Sequence, residues 1–149
     1  KSIGSDVIFG LNFTNSILTA KNGLKRFKDY NKFYTLIVKP NFGCSTKYIY
    51  SKVKSFSKPK FSSPKQSMLK VKYLKTLDNN LETIVFKKYP QLKNIKAYLL
   101  NLRNNMFVRM SGSGSSIVAY FNSKSACNEA YKRFKVRFNS HWCITSKTI

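Results

Sequence analysis

The chain has 149 residues, 42% of them hydrophobic, a length and composition suited to one globular domain with a sizeable core. Its 28 basic and 5 acidic residues give a net charge of +23, which favours an anionic partner. No run of eighteen apolar residues is present, which argues against a membrane-spanning helix, and no signal-peptide pattern opens the chain.

The excess charge is nearly all lysine, scattered from Lys1 to Lys147 and accompanied by many Asn, Ile, Phe and Tyr residues. These are the amino acids of A/T-rich codons, so base composition accounts for a lysine-coated surface as readily as a phosphate-bearing partner does. Cys44, Cys127 and Cys143 are odd in number, widely spaced and without CxxC pairing. They read as reduced thiols of a cytoplasmic-type compartment. His141 stands two residues before Cys143, a spacing that half of a metal site would use, but the other ligands are missing and no metal site is expected.

In chain order, "KSIGSDVIFGL" begins at Lys1 without a polar lead-in and reads as an excerpt of something longer. Ser16–Ala20 and Leu24–Lys28 flank Asn22-Gly23, a hairpin signal. "KFYTLIVKP" is a strand closed by Pro40, rich in aromatic and β-branched residues. "STKYIYSKVKSF" is predicted helical, capped by Ser45 or Thr46, with Ile49, Val53 and Phe56 on one face. "SKPKFSSPKQS" is a loop, and "SMLKVKYLKTL" is compatible with helix or strand. "DNNLETIVFKKYP" is predicted as a helix capped by Asp78, burying Leu81, Ile84 and Val85 and stopped at Pro90.

"QLKNIKAYLLNLRNN" is a further helix with Leu92, Ile95, Leu99 and Leu102 inward, and Asn104-Asn105 able to supply a left-handed turn at its end. "MFVRM" and "SSIVAYF" are strands, "SKSACNEAYKRFKVRF" an amphipathic helix opened by Ser123 or Ser125, and "HWCITSKTI" a final strand. The expected fold class is α+β, with a mainly antiparallel sheet and helices on one face.

Between the two central strands lies "RMSGSGSS". Consecutive backbone amides of a glycine-rich turn form a nest for anionic oxygens, and serine hydroxyls add donors. A ligand-free hairpin turn is the competing reading. The loop fits neither GxxxxGK[ST] nor GxGxxG, because Ile117 stands where the third glycine would be.

Four segments in order, "IGSDVIFGL", "VKPNFGCSTKYIY", "DNNLETIVFKKYPQL" and "RMSGSGSSIVAYF", resemble the GHMP kinases, a superfamily of small-molecule kinases. The likeness is greatest to the branch that acts on a cytidyl diphosphate ester of methylerythritol in non-mevalonate isoprenoid synthesis. It covers nearly the whole chain, but only the C-terminal half of such an enzyme. The family's lysine and "GGGSS"-type phosphate loop belong to the other half, and neither motif occurs here.

The resemblance implies a remnant of the ATP-binding domain at 1–13 and a ferredoxin-like C-terminal domain at 14–149. It makes Asp6 the catalytic acceptor of the proton from the substrate's 2-hydroxyl. Ser111, Gly112, Ser113, Gly114, Ser115 and Ser116 become the loop that closes over the phosphates. Thr46 and Tyr50 become substrate-side residues, the tyrosine stacking on cytosine. ATP with Mg2+ is the implied cofactor, held only by a full-length bacterial cytoplasmic enzyme, with this piece inactive alone. No resident metal, membrane or nucleic-acid partner is implied. Ile8 and Ser5 depart from the usual proline and alanine, and Asn104-Asn105 from glycine-alanine, without removing a reacting group.

Two alternatives stay open: another GHMP kinase with a different substrate, and a basic ferredoxin-like module binding RNA. "KRFKDY", "KYLK" and "YKRFKVRF" interleave cations and rings as a strand-binding surface would. Against the second stands "SSIVAYF", which lacks the basic-glycine-aromatic pattern expected of such a sheet.

Overall fold

A computed structural model of the chain describes residues 12, 14–19, 23–28 and 32–148. The chain divides into two compact units, Lys1–Asn31 with Phe56–Thr76 and Ile149, and Lys32–Ser55 with Leu77–Thr148.

In the first unit, β1 (Asn15–Leu18) and β2 (Leu24–Phe27) form an antiparallel hairpin, with Asn15 opposite Phe27 and Leu18 opposite Leu24. The turn signal works through Gly23, whose carbonyl accepts from the Thr19 amide at 2.8 Å, while its own amide donates to the Thr19 hydroxyl at 3.0 Å. Asn22 lies outside the described residues. The ambiguous stretch after the proline-rich loop is neither a long helix nor a strand. It is a 3-10 turn at Gln66–Leu69 followed by a one-turn helix at Val71–Leu74.

The second unit runs β3 (Tyr34–Lys39), α1 (Thr46–Ser51), α2 (Glu82–Lys88), α3 (Pro90–Leu100), β4 (Asn105–Met110), β5 (Ile117–Phe121), α4 (Lys124–Arg137) and β6 (Trp142–Lys147). The sheet order is β4-β5-β3-β6, antiparallel throughout. This is the βαββαβ, ferredoxin-like arrangement, with α1 to α3 filling the first connection and α4 the second.

Alternation along the strands decides which face is covered. Leu36 lies opposite Ala119 and Thr145, Val38 opposite Ile117 and Cys143, and Val108 opposite Ala119. These side chains, except Thr145, join Leu92, Ile95 and Leu99 of α3 and Ala126, Cys127, Ala130 and Phe134 of α4 in one buried core. Full burial of a side chain the size of Phe134 or Leu36 contributes about 1.5–3 kcal/mol. The opposite face carries Phe107 stacked on Tyr120 at 4.4 Å, with Phe33 meeting both rings edge-on.

Element boundaries depart from expectation at three places. The first helix ends at Ser51, where the Lys52 amide turns back to Ile49 and Tyr50 carbonyls. Phe56 therefore leaves the expected buried face and is 88% exposed. The side-chain cap expected from Asp78 is not made: Leu81 holds the N-cap position of α2 without a side-chain cap bond, and the Asn79 side-chain oxygen accepts the Leu81 amide at 3.0 Å in the turn just ahead of the helix. Pro90 begins a helix as well as stopping one, because the first helical position needs no N–H. Asn104 takes the left-handed turn at φ +62°, and the Asn105 amide group donates to the Leu99, Leu100 and Leu102 carbonyls at the end of α3.

Candidate glycine-loop site

The loop Ser111–Ser116 is a tight connection between β4 and β5. The Ser111 amide donates to the Ser116 carbonyl, and the Gly114 amide to the Ser111 carbonyl, both at 2.9 Å. Two residues take positive φ, Gly112 at +51° and Gly114 at +84°, which side chains resist. Gly114 has a second reason to lack a side chain. A Cβ there would stand 3.1 Å from Cys44 Sγ and 3.2 Å from Met110 Sδ, so the loop lies directly on these sulfurs.

The serines divide by task. Ser115 is buried and its hydroxyl donates to the Phe42 carbonyl at 2.9 Å, tying the loop to the segment after β3. The Ser113 hydroxyl lies 2.9 Å from that of Thr46. Thr46 is free for this contact because Ser45 is the residue that caps α1, accepting from the Tyr48 amide. Among the described residues, the amides of Gly112 and Ser113 take no hydrogen bond. Two adjacent donors beside a left-handed glycine suit an anionic oxygen.

Tyr50 lies one helical turn beyond Thr46 and is 55% exposed, while Ile49 between them is buried. Its ring is thus available on the surface rather than packed in the core. The structure brings Thr46 and the loop into contact; Asp6 lies outside the described residues. Tyr48, which sequence reasoning passed over, has Lys52 and Lys88 ammonium groups 5.3 and 5.4 Å from its ring.

Two further residues were missed. The Asn79 side-chain amide donates to the Met110 carbonyl at 2.9 Å and to the Gly112 carbonyl at 2.7 Å. Glu82 accepts the Met110 amide at 2.9 Å and pairs with Lys96 at 2.5 Å. The available signal was the Asn pair just before a helix, a pattern that favours side-chain-to-backbone bonding. Arg109 reaches the Leu77 carbonyl and lies over the Phe107 ring. Burial raises the Tyr120 phenol, with Arg109 pulling the other way.

Burial disfavours the thiolate form of all three cysteines. Burial raises Cys44 and Cys143, the latter opposed by Lys135, and pushes Cys127 up to about 11. Among the described residues no group of three His, Cys, Asp or Glu side chains is placed to hold a metal ion. The loop amides suit phosphate oxygens, and of the nearby carboxylates Glu82 is committed to Lys96 and Met110. No described helix is long and apolar enough to cross a membrane.

Residues 68–139 match the family model described as GHMP kinases C terminal. Over 99% of its length the chain is 61% identical to the 4-diphosphocytidyl-2-C-methyl-D-erythritol kinase of Pelagibacter ubique (strain HTCC1062), covering 52% of that protein. It is 31% identical to the protein of that name from Clostridium tetani (strain Massachusetts / E88), covering 99% of this chain and 54% of that one. The chain thus spans about half the length of the curated relatives it matches. In fold it is similar to a crystal structure of 4-(cytidine 5'-diphospho)-2C-methyl-D-erythritol kinase, with TM-score 0.72 and 21% identity over 95% of this chain and 53% of that one. Homoserine kinase from Cytophaga hutchinsonii ATCC 33406 gives TM-score 0.64 and 16% identity, over 92% and 49%. Over residues 68–139 the chain is thus similar to the C-terminal domain of the GHMP kinases, and its fold agrees.

Proposed function

We propose that this chain supplies the C-terminal half of an ATP-dependent kinase that phosphorylates the 2-hydroxyl of 4-diphosphocytidyl-2-C-methyl-D-erythritol in the bacterial cytoplasm. The observation that carries the reading is 61% identity across 99% of the chain to a protein of that name. In this reading residues 1–13 belong with the ATP-binding half and 14–149 form the C-terminal domain.

Asp6 accepts the proton of the 2-hydroxyl as that oxygen bonds to the γ-phosphorus of ATP. The bond from phosphorus to the bridging oxygen breaks, and ADP leaves with the electron pair. The Gly112 and Ser113 amides lie where negative charge spreads over the transferring group, and their worth comes from being fixed in advance. Ser111 and Ser116 close the turn, Ser115 anchors it, and Thr46 joins it through Ser113 to the helix that bears Tyr50. Tyr50 offers a ring face to the cytosine.

The test is phosphoryl transfer from ATP to the cytidyl ester by this chain and by one extended upstream to the length of its relatives. Activity is expected only in the extended chain, abolished by Asp6→Asn. No transfer by either, with salt-sensitive RNA binding by the short chain, would replace the kinase reading by the nucleic-acid one.

A further inference from the structure

The side chain of Asn79 makes three hydrogen bonds, more than the turn ahead of α2 requires. Its oxygen accepts the Leu81 amide, which closes that turn. Its nitrogen then reaches across to the glycine loop and donates to the carbonyls of Met110 and Gly112, the two that flank Ser111. A trans peptide is planar and its C=O and N–H point in opposite directions. Holding the Gly112 carbonyl on the Asn79 side therefore turns the Ser113 N–H to the other side, away from the protein's own acceptors. That N–H is one of the loop amides that take no hydrogen bond among the described residues. Gly112, at φ +51° and with open space around its Cα, has little else to prevent its peptide from rotating.

Glu82 completes the grip one helical turn away. It takes the Met110 amide at 2.9 Å and is itself held by Lys96 at 2.5 Å. Both faces of the Met110 backbone, its N–H and its C=O, are thus fixed from the start of α2. The loop begins from a clamped residue, and its second peptide is oriented by the same asparagine.

We infer that Asn79 is a positioning residue of the phosphoryl-transfer site, orienting the Ser113 amide toward the transferring phosphate by holding the Gly112 carbonyl. This rests on the kinase reading above and adds a group outside the loop and outside the substrate contacts. An amide rotated out of line is lost to the transition state more than to the bound ground state, so the effect falls on kcat.

Asn79→Asp is the informative variant. It keeps an oxygen for the Leu81 amide but sets a carboxylate against two carbonyls, so the loop peptide is driven away while the helix start survives. In the extended chain, kcat is expected to fall about 10²-fold, as for a misplaced catalytic donor. KM for ATP and for the cytidyl ester should stay within a factor of about three. The thermal midpoint should fall by only a few degrees, as expected for the two lost hydrogen bonds, with the chain still folded under assay conditions. Asn79→Ala, which leaves both carbonyls to solvent, is the second variant and should show the same split. Unaltered kcat in both variants, with the parent chain active, overturns the inference and leaves the kinase reading standing. A fall in kcat that only tracks loss of folded protein overturns it as well. An inactive parent chain removes the kinase reading and the inference together.

Discussion

Ser115 and Phe42 are joined by a hydrogen bond of 2.9 Å between a buried hydroxyl and a backbone carbonyl, across 73 positions of sequence. It connects the glycine loop to the segment that leads from β3 to α1, so the two flanks of the candidate site share one anchor. Ser115→Ala removes the donor and leaves the carbonyl without it. The expected cost is about 1 kcal/mol, read as a lower urea midpoint at unchanged slope. Ser113→Ala, whose bond to Thr46 is exposed, should stay within about 0.5 kcal/mol of the parent. Equal effects from the two serines would contradict this division.

The two loop glycines should respond unequally to alanine. At Gly112 nothing lies within 4 Å of the added Cβ, so only the positive φ resists, at about 1 kcal/mol. At Gly114 the same strain is joined by contacts with Cys44 and Met110 at 3.1 and 3.2 Å. Gly114→Ala should cost about 2–4 kcal/mol. Denaturant titration of the pair checks the order; a larger loss at Gly112 would refute it.

Lys96→Met leaves the Glu82 carboxylate half-buried with only the Met110 amide as partner. Stability should fall by about 2 kcal/mol, in the range for hydrogen bonds to charged groups. Adding Glu82→Gln to it should recover part of the loss, since the neutral side chain still accepts the Met110 amide without carrying an unpaired charge. A double-mutant cycle measured by urea unfolding supplies the coupling. Strict additivity would mean that Lys96 does not support Glu82.

Cys127 gives a pH dependence on the alkaline side. Folding holds its thiol protonated up to about 11, against 9.0 for the unperturbed group. Between these values the native state binds a proton that the unfolded state has released. Stability therefore falls as pH rises through that window, by at most about 1.4 kcal/mol per unit from this residue. Below pH 9 the contribution is fully present. Cys127→Ala should flatten the slope between pH 9 and 11, and native-state alkylation of this thiol should be slow until the chain unfolds.

Much of the second unit was legible because its periodicities are clean. β3, β5 and α3 bury the residues that alternation and helical spacing assign, from Leu36 and Ile117 to Leu92, Ile95 and Leu99. Asn104 was recognisable as a left-handed position for the same reason that glycine would be. What failed was decided by contacts remote in sequence. Phe56 falls in register with Ile49 and Val53, yet the helix stops before reaching it. Nothing local shows that Asn79 rather than Asp78 bonds the start of α2. The choice is made by Met110 and Gly112, more than thirty residues away, which need an N–H donor that aspartate lacks. The glycine loop itself was visible as composition, but the separate tasks of Ser113 and Ser115 depend on which neighbour each hydroxyl meets.

The two outer strands of the four-stranded sheet, β4 and β6, differ in how they face a stranger. An edge strand presents unpaired backbone groups to which another chain can add. On β4 the register slips between Asn105 and Phe107, and such a bulge bends and twists the strand so that a straight partner fits poorly. β6 pairs with β3 without interruption from Trp142 to Lys147, and shows Trp142 and Ile144 at 54% and 46% exposure. Its regular edge ends in a single lysine and carries no proline. If copies of this chain associate through their sheets, β6 is where they join, and a charge in place of Ile144 is the change that keeps them apart.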